Sequence, residues 1–540
     1  MFHNTIIIIY KKIIAFYLKA SYNLDEMKEQ LRRMANIKGR GCYIKLYNLN
    51  QLRTPLFDAL LQYSENNTIP FHVPGHKRGQ GMDEEFRNFV GYNVLSIDVT
   101  VFDQVDSLHK PTGVIKEAEE LAADAYGADH TLFSIHGTSG AIQAMIMAAV
   151  GEGDKIIVPR NIHKSVTSGI ILSGAVPVYV QPEIDINIGV AIGVTPESIG
   201  RALKENPDAK AVLIINPTYY GVASDIKAIA EIVHSYNLPL LVDEAHGAHL
   251  KFNDRLPVSA LEAGADVVAQ STHKLLGAMT QASMLHVKGK RVSIDRIKNI
   301  MSMLQTTSPS YVLLASLDTA RRQIAIHGKE LLDNAIDVAE YTRDQINEID
   351  GLYCFGEDVI GRPGAYAFDP TKVTITSKNL GISGYELEKL LAEKYNIQAE
   401  LSDMYNCLCV MTIGDDYKKA GMLIKALKDI SSEYYLKYIR MGGVLEIPNI
   451  PERVLTPREA YNSPTKVSAL ESSIGCISAE FIYAYPPGIP VLYPGERITG
   501  EIVDYVEKMK KASLKVQGLE DPDVNYIKVV RNLEALTITA

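Results

Sequence analysis

The chain has 540 residues, too many for one core of ordinary size, so two or three domains of a mixed α/β protein are expected. Hydrophobic residues make up 46% and charged residues 22%, which excludes a mainly disordered chain. The formal charge of −9 argues against a nucleic-acid partner, whose phosphates need a basic excess or stripe, and is compatible with a small cationic substrate.

The N-terminus, FHNTIIIIYKKIIAFYLKASY, holds two apolar clusters split by Lys11 and Lys12. Neither approaches the roughly 20 apolar residues of a membrane span, and no small-residue cleavage site follows. Residues 1–45 are read as a peripheral extension of unknown role, with Met27 and Met34 as further candidate start sites. Residues 46–112 form an N-terminal segment containing FHVPGHKRG (71–79).

From 113 to 330 helical periodicity alternates with short apolar runs, the pattern of βαβ units around a mostly parallel sheet. The expected strands are KIIVPR (155–160), VPVYVQ (176–181), KAVLIINP (210–217), LPLLVDE (238–244), DVVAQS (266–271) and ASMLHV (282–287). DIKAIAEIVHSYN (225–237) reads as a helix whose Ile226, Ile229, Ile232 and Val233 share a core-facing stripe. Residues 331–445 carry longer helical stretches, and ELEKLLAEKYNIQAELSD (386–403) followed by NCLCVMTIG (406–414) predicts a smaller α+β domain. EIPNIPERVLTP (446–457) marks a linker into a C-terminal domain, 446–540, whose YAYPPGIPVLYPGE (483–496) is too rich in Pro and Gly for regular structure. The five cysteines, Cys42, Cys354, Cys407, Cys409 and Cys476, are odd in number and scattered, as expected of reduced thiols in a cytoplasmic protein.

VDEAHGAHL (242–250) admits three readings. A helicase motif would need GxxxxGK[ST] upstream, and there is none; VKGKRV (287–292) lacks the first glycine and the Ser/Thr, and it follows rather than precedes. A metal site would use His246 with His249, or His72 with His76, but HExxH is missing and Pro74 and Gly75 interrupt any helix between the second pair. No metal is expected. The third reading is the acidic anchor of an organic cofactor. QSTHKLLGA (270–278) places Lys274 just past another apolar strand, so Asp243 and Lys274 both face the crevice at the strand ends. That pair suits pyridoxal 5'-phosphate: the lysine bonds the aldehyde, and the aspartate keeps the ring nitrogen protonated. Upstream, SIHGTSGAIQAMIMAAV (134–150) is a glycine turn feeding a helix, whose free N–H groups at Gly137, Thr138, Ser139 and Gly140 could hold a phosphate or simply be capped. PRNIHKS (159–165) offers His163, able to lie flat over an electron-poor ring or to serve as a helix cap.

Together GTSG (137–140), PRNIHKS, NPTYYG (216–221), VDEAHGAH, STHKLLGAMTQAS (271–283), FHVPGHKRG, TTSPSYVLLASLD (306–318) and YPPGIPVLYPGE (485–496) resemble the bacterial ornithine/lysine/arginine decarboxylases. The resemblance runs from about Leu46 to the end. It implies an α/β fold, the PLP-dependent transferase fold type I, with a large domain built on a mostly parallel sheet, a smaller α+β domain and a C-terminal domain. It implies Lys274 as the cofactor-bonding lysine, Asp243 as partner of the ring nitrogen and His163 stacked on the ring. Thr138, Ser139, Ser271 and His273 become cofactor contacts, and Thr307 reaches the phosphate of a neighbouring subunit. Glu496 becomes an acidic residue near the substrate. His246 stands where long relatives often carry a tryptophan, and the receiver-like wing of those relatives is expected to be absent.

The chain is most similar to the short Gram-positive form, which implies decarboxylation of L-arginine to agmatine and CO2 in polyamine biosynthesis. Lysine or ornithine is the alternative substrate; an aminotransferase or aldolase on the same fold is a remoter one, and an inactive regulator belongs to a different class. His273 and Lys274 are both candidates to reprotonate the substrate carbon. The expected partners are a basic amino acid and further copies of the chain, in a homodimer or higher homo-oligomer with shared active sites; neither nucleic acid nor a membrane span is expected.

Overall fold

The computed structural model describes residues 50–66, 68–435, 447–485, 489–511 and 515–531. The extension at 1–45, both alternative starts and Cys42 lie outside the described residues.

The centre of the large domain is a seven-stranded sheet: β1 (His130–Ser134), β2 (Lys155–Pro159), β3 (Val176–Val180), β4 (Ala211–Ile215), β5 (Leu240–Asp243), β6 (Val267–Gln270) and β7 (Ser283–Val287). Their order across the sheet is β1-β7-β6-β5-β4-β2-β3. Every neighbouring pair is parallel except the two made by β7, which runs against both β6 and β1. The six strands expected from apolar runs are present, each shorter by one to three residues. The edge strand β1 is additional to them, because HTLFS is too short and mixed to stand out.

The middle strands are buried on both faces, which is why they read as unbroken apolar runs. Val212, Val242 and Val268 pack into one core cluster. Leu213, Leu241 and Ala269 pack into another. Helix Ile226–Ser235 starts from Asp225, whose side chain accepts the Ala228 N–H, and it buries Ile226, Ile229 and Val233 while Ile232 is only partly covered.

Register fixes where the chemistry falls. Ile215 pairs with Asp243, and Asp243 with Ala269, so three parallel strands end level with one another. The chain beyond them supplies Tyr219, His246 and Lys274. Ser134 pairs with Ser283, so the start of β7 and the end of β1 meet at the same edge. This is the carboxyl-end crevice of an open α/β sheet.

Helix Tyr311–Asn347 leads from the large sheet to a second one, in which Tyr353–Cys354, Lys372–Thr376, Asn406–Val410 and Leu401–Ser402 pair antiparallel. Helices Gly384–Tyr395 and Tyr417–Tyr434 share a core cluster with it. Further on, Thr465–Ala469 pairs with Tyr526–Val530, and Ile482–Tyr485 lies between Ile489–Leu492 and Lys515–Gln517. The expectation of no regular structure over 483–496 is therefore corrected. Ile489–Leu492 is a buried edge strand, and its Pro490 sits where a missing N–H is tolerated. Cys354, Cys407, Cys409 and Cys476 are free thiols. No helix among the described residues is long and apolar enough to cross a membrane.

Candidate active site

A cavity of about 320 Å³ opens at the strand ends, and Thr138, Ser139, His163, Asp243, His246, Ser271, His273 and Lys274 all line it. These side chains come from separate strand-to-helix connections around the crevice. Helix Gly137–Ala149 begins on the cavity wall after His136, with no side-chain cap. Its first-turn N–H groups have no acceptor inside the helix. Gly137 donates instead to the Gln281 carbonyl at 3.1 Å and Gly140 to the His136 carbonyl at 3.3 Å, which leaves the N–H groups of Thr138 and Ser139, and Gln281 itself holds a left-handed φ of 84°, a strained conformation on the cavity rim. Thr138 Oγ1 bonds the hydroxyls of Ser271 and, at 2.8 Å, Ser283, which ties the helix start to the segment carrying Lys274.

Asp243 is buried, and among the described residues its carboxylate accepts one hydrogen bond, from the Ala245 N–H at 3.1 Å. Burial raises its pKa from 3.8 to about 6, against the opposing pull of that N–H and of the Lys274 charge. Lys274 is shifted the other way: burial lowers its pKa, and Asp243 resists. Its Nζ lies 2.8 Å from His246 Nε2 and 5.8 Å from the centre of the Tyr219 ring, and that ring meets His246 edge-on at 4.8 Å. Burial, then the charges of Lys274 and Lys372, hold His246 well below the ordinary imidazole range, so it is neutral and accepts from the amine. Its Nδ1 has no partner among the described residues.

His163 caps helix Lys164–Ser173 by accepting the Ser165 N–H and also lines the cavity, so both uses read from sequence are compatible. Burial and the nearby Lys274 charge lower its pKa to about 4, which leaves a neutral, polarisable ring. His273 Nδ1 donates to the Ala282 carbonyl at 2.9 Å, and burial again lowers its pKa.

The cavity thus offers three things in one place: a helix start short of acceptors, a buried carboxylate with a single hydrogen-bond donor, and an amine of depressed basicity. A phosphate, a protonated ring nitrogen and an aldehyde answer these in turn. The donor set fits pyridoxal 5'-phosphate. No group of three or more His, Cys, Asp or Glu among the described residues is arranged to hold a metal ion. His249 faces Asp369 at 3.1 Å, His72 bonds the Tyr63 hydroxyl and His76 bonds Asp98.

Two expected site residues are not in the cavity. Thr307 is exposed on the loop before helix Tyr311–Asn347. Glu496 lines neither this cavity nor the larger one beside it, and within this chain it is an ion-pair partner. Its two oxygens take both terminal nitrogens of Arg160, and it also accepts the Tyr493 N–H at 2.8 Å. Arg160 is as buried as its partner, lies 4.9 Å from the Tyr179 ring and 4.7 Å from the Tyr493 ring, and donates to the carbonyls of Pro490 and Val491. The carboxylate is fully used as a counter-ion. Glu496→Gln should therefore destabilise the fold by about 3–5 kcal/mol, because it leaves a buried guanidinium unpaired. A denaturation midpoint matching wild type would contradict this.

A second cavity, about 580 Å³, adjoins the first and shares His163, Ile215 and Tyr219 with it. Sequence alone gives Tyr219 no role beyond membership of NPTYYG, since its place between two cavities depends on the turn that follows. Gly221 has φ 88°, and a Cβ there would stand 2.9 Å from the Asp369 carbonyl oxygen and from Lys372 Cγ, so only glycine lets this turn close. Lys372 is itself buried, donates to Asp369 at 2.7 Å and reaches within 3.5 Å of the His246 carbonyl.

Residues 54–419 match the family model for the Orn/Lys/Arg decarboxylase major domain, and residues 446–530 the model for its C-terminal domain. The chain belongs to the Orn/Lys/Arg decarboxylase family. Within the family it is 49% identical to the arginine decarboxylase of Bacillus subtilis, over 90% of this chain and 100% of that protein. It is 50% identical to the arginine decarboxylase of Bacillus anthracis, over 91% of this chain and 100% of that one. The constitutive lysine decarboxylase structure from Escherichia coli, at 25% identity, superposes with a TM-score of 0.75, covering 94% of this chain and 85% of that one. The serine palmitoyltransferase of Sphingomonas wittichii shares the fold more distantly: TM-score 0.51 at 15% identity, over 66% of this chain and 86% of that one. The family fold is α/β of fold type I, as the motifs implied.

Proposed function

We propose that the chain decarboxylates L-arginine with pyridoxal 5'-phosphate, giving agmatine and CO2 for polyamine biosynthesis in the cytoplasm. The observation that carries this reading is the convergence of Lys274, Asp243 and the acceptor-poor start of helix Gly137–Ala149 on one cavity in which no arginine takes part. An aminotransferase would be expected to hold the substrate α-carboxylate with an arginine, and neither cavity has one among its described lining residues. A decarboxylase must leave that group weakly held. Arginine rather than lysine follows from identity near 50% to arginine decarboxylases over their whole length.

When bound, the cofactor supplies an aldehyde that takes the substrate amine and a cationic ring that withdraws the electron pair left as CO2 departs. The chain's own groups set the stage. Thr138, Ser139 and Ser271 would hold the phosphate; Asp243 would keep the proton on the ring nitrogen; neutral His163 would cover the ring without adding charge. His246 accepts from the Lys274 amine and so fixes where that amine waits. Lys274 and His273, which both line the cavity, are the candidates to return a proton to the substrate carbon.

Thr307, exposed on its own chain, would complete the phosphate site of a second copy, making a homodimer the smallest active unit. Mixing inactive Lys274→Ala chains with an inactive Thr307→Ala variant should restore part of the activity. A fully active monomer in sedimentation would contradict sharing. The function itself is tested by supplying arginine, lysine and ornithine together at equal concentration and identifying the amines. Agmatine should dominate. Cadaverine or putrescine in excess would make the substrate wrong, and a keto acid without CO2 would make the reaction wrong.

A further inference from the structure

Within the decarboxylase reading, the cavity next to Lys274 has a lining that bears on which cation the enzyme takes. Tyr219, Tyr220, Tyr385 and Tyr483 line it, with contributions from the large sheet, the second sheet's helix and the C-terminal domain. Among its described lining residues there is no carboxylate, and the one formal charge is the exposed Lys164. A substrate whose amine sits at Lys274 would reach this cavity past Tyr219, which with His163 and Ile215 lines both.

The negative charge lies one side chain further back. The Tyr220 hydroxyl donates to Asp403 Oδ2 at 2.6 Å, and Asp403 is buried. Asp403 also accepts the N–H groups of Tyr405 at 2.8 Å and Asn406 at 2.9 Å, and the Asn406 side chain at 3.1 Å. Burial raises its pKa, and these donors oppose the rise by favouring the ionised carboxylate. A phenol that donates to a carboxylate carries a more electron-rich ring, so the charge of Asp403 bears on the cavity through Tyr220.

We propose that this cavity seats the substrate's side chain and that Tyr219 and Tyr220, the latter backed by Asp403, select a guanidinium over an ammonium. A guanidinium is flat, weakly hydrated and stacks on aromatic rings, whereas an ammonium keeps its water unless oxygen acceptors replace it. The oxygen acceptors that the lining also holds, such as Asn161 and Ser402, are neutral, so a wall of phenol rings with its carboxylate set behind them favours the first over the second. The inference rests on the decarboxylase reading and goes beyond it, since it names the groups that choose the substrate.

The test uses the holoenzyme and two variants, Tyr220→Phe, which keeps the ring and loses the link to Asp403, and Asp403→Asn. In both, KM for arginine should rise about tenfold while kcat stays within about threefold, and lysine should change less than about twofold. Calorimetry with agmatine, which has no carboxylate to lose, should show the same tenfold weakening. Equal losses for arginine and lysine, or unchanged agmatine binding, overturn the inference and leave the decarboxylase reading standing. A wild-type holoenzyme that releases CO2 from none of the three basic amino acids overturns that reading instead, and agmatine binding by wild type against Tyr220→Phe then still decides the cavity. Should Asp403→Asn fail to fold, the milder Tyr220→Phe is sufficient to decide between these outcomes.

Discussion

Lys274→Ala should lower kcat by about four powers of ten or more while the protein stays folded. Among the described residues Lys274 is the one lysine that lines the Asp243 cavity, and Lys372, the other buried amine near His246, is held by Asp369. Burial lowers its pKa, which raises the neutral fraction of the amine and hence its nucleophilicity. The truncation removes one hydrogen bond, to His246 Nε2, and leaves the surrounding strands untouched. Release of labelled CO2 measures the loss, and an unchanged denaturation midpoint separates lost chemistry from lost structure. Borohydride reduction followed by peptide mapping gives the decisive contrary result: cofactor fixed to another lysine of the variant would remove Lys274 from its role.

Asp243→Asn should cost about three powers of ten in kcat, yet make the cofactor-free protein more stable rather than less. The sign follows from protons. In the unfolded chain the carboxyl ionises at about 3.8, in the folded chain at about 6, because burial opposes the charge. Between those values the folded state binds more protons than the unfolded one, so stability falls as pH rises through the window and is level above it. The difference amounts to about 3 kcal/mol at neutral pH, which the neutral amide escapes. Unfolding of the cofactor-free wild type and variant at pH 4 and pH 7.5 should show the gap opening with pH. With cofactor bound the order should reverse, since a cationic ring nitrogen supplies the missing counter-charge. Near-normal turnover in the variant would mean that another acid anchors the ring.

The parallel sheet was legible because its strands are buried on both faces, and Leu240–Asp243 or Val267–Gln270 then appear as plain apolar runs. The edge strand His130–Ser134, which opens with the exposed His130 and is followed by a histidine-containing turn, gives no such signal. Asp243 and Lys274 were legible as a pair because Asp243 ends one strand and Lys274 closely follows another, and register does the rest. The partner of Glu496 was not legible, for the opposite reason. A glutamate in a Pro/Gly-rich run shows its charge in the sequence but not its partner, which is 336 residues away. Asp403 was hidden similarly: nothing local marks a carboxylate that will accept from Tyr220, and only the packing of the second sheet against the NPTYYG turn joins them.

The pairing of Arg160 with Glu496 also bears on the order in which the protein can be made. Arg160 leaves the ribosome hundreds of residues before its counter-ion, three positions ahead of His163 in the cavity wall. Until Glu496 and the carbonyls of Pro490 and Val491 arrive, burying that guanidinium is unfavourable, so the neighbouring turn stays open to water. The segment that carries Glu496 thereby acts as a completion signal: the second cavity, which Tyr483, Gln517 and Gly518 also line, acquires that wall only once this part of the chain has been made.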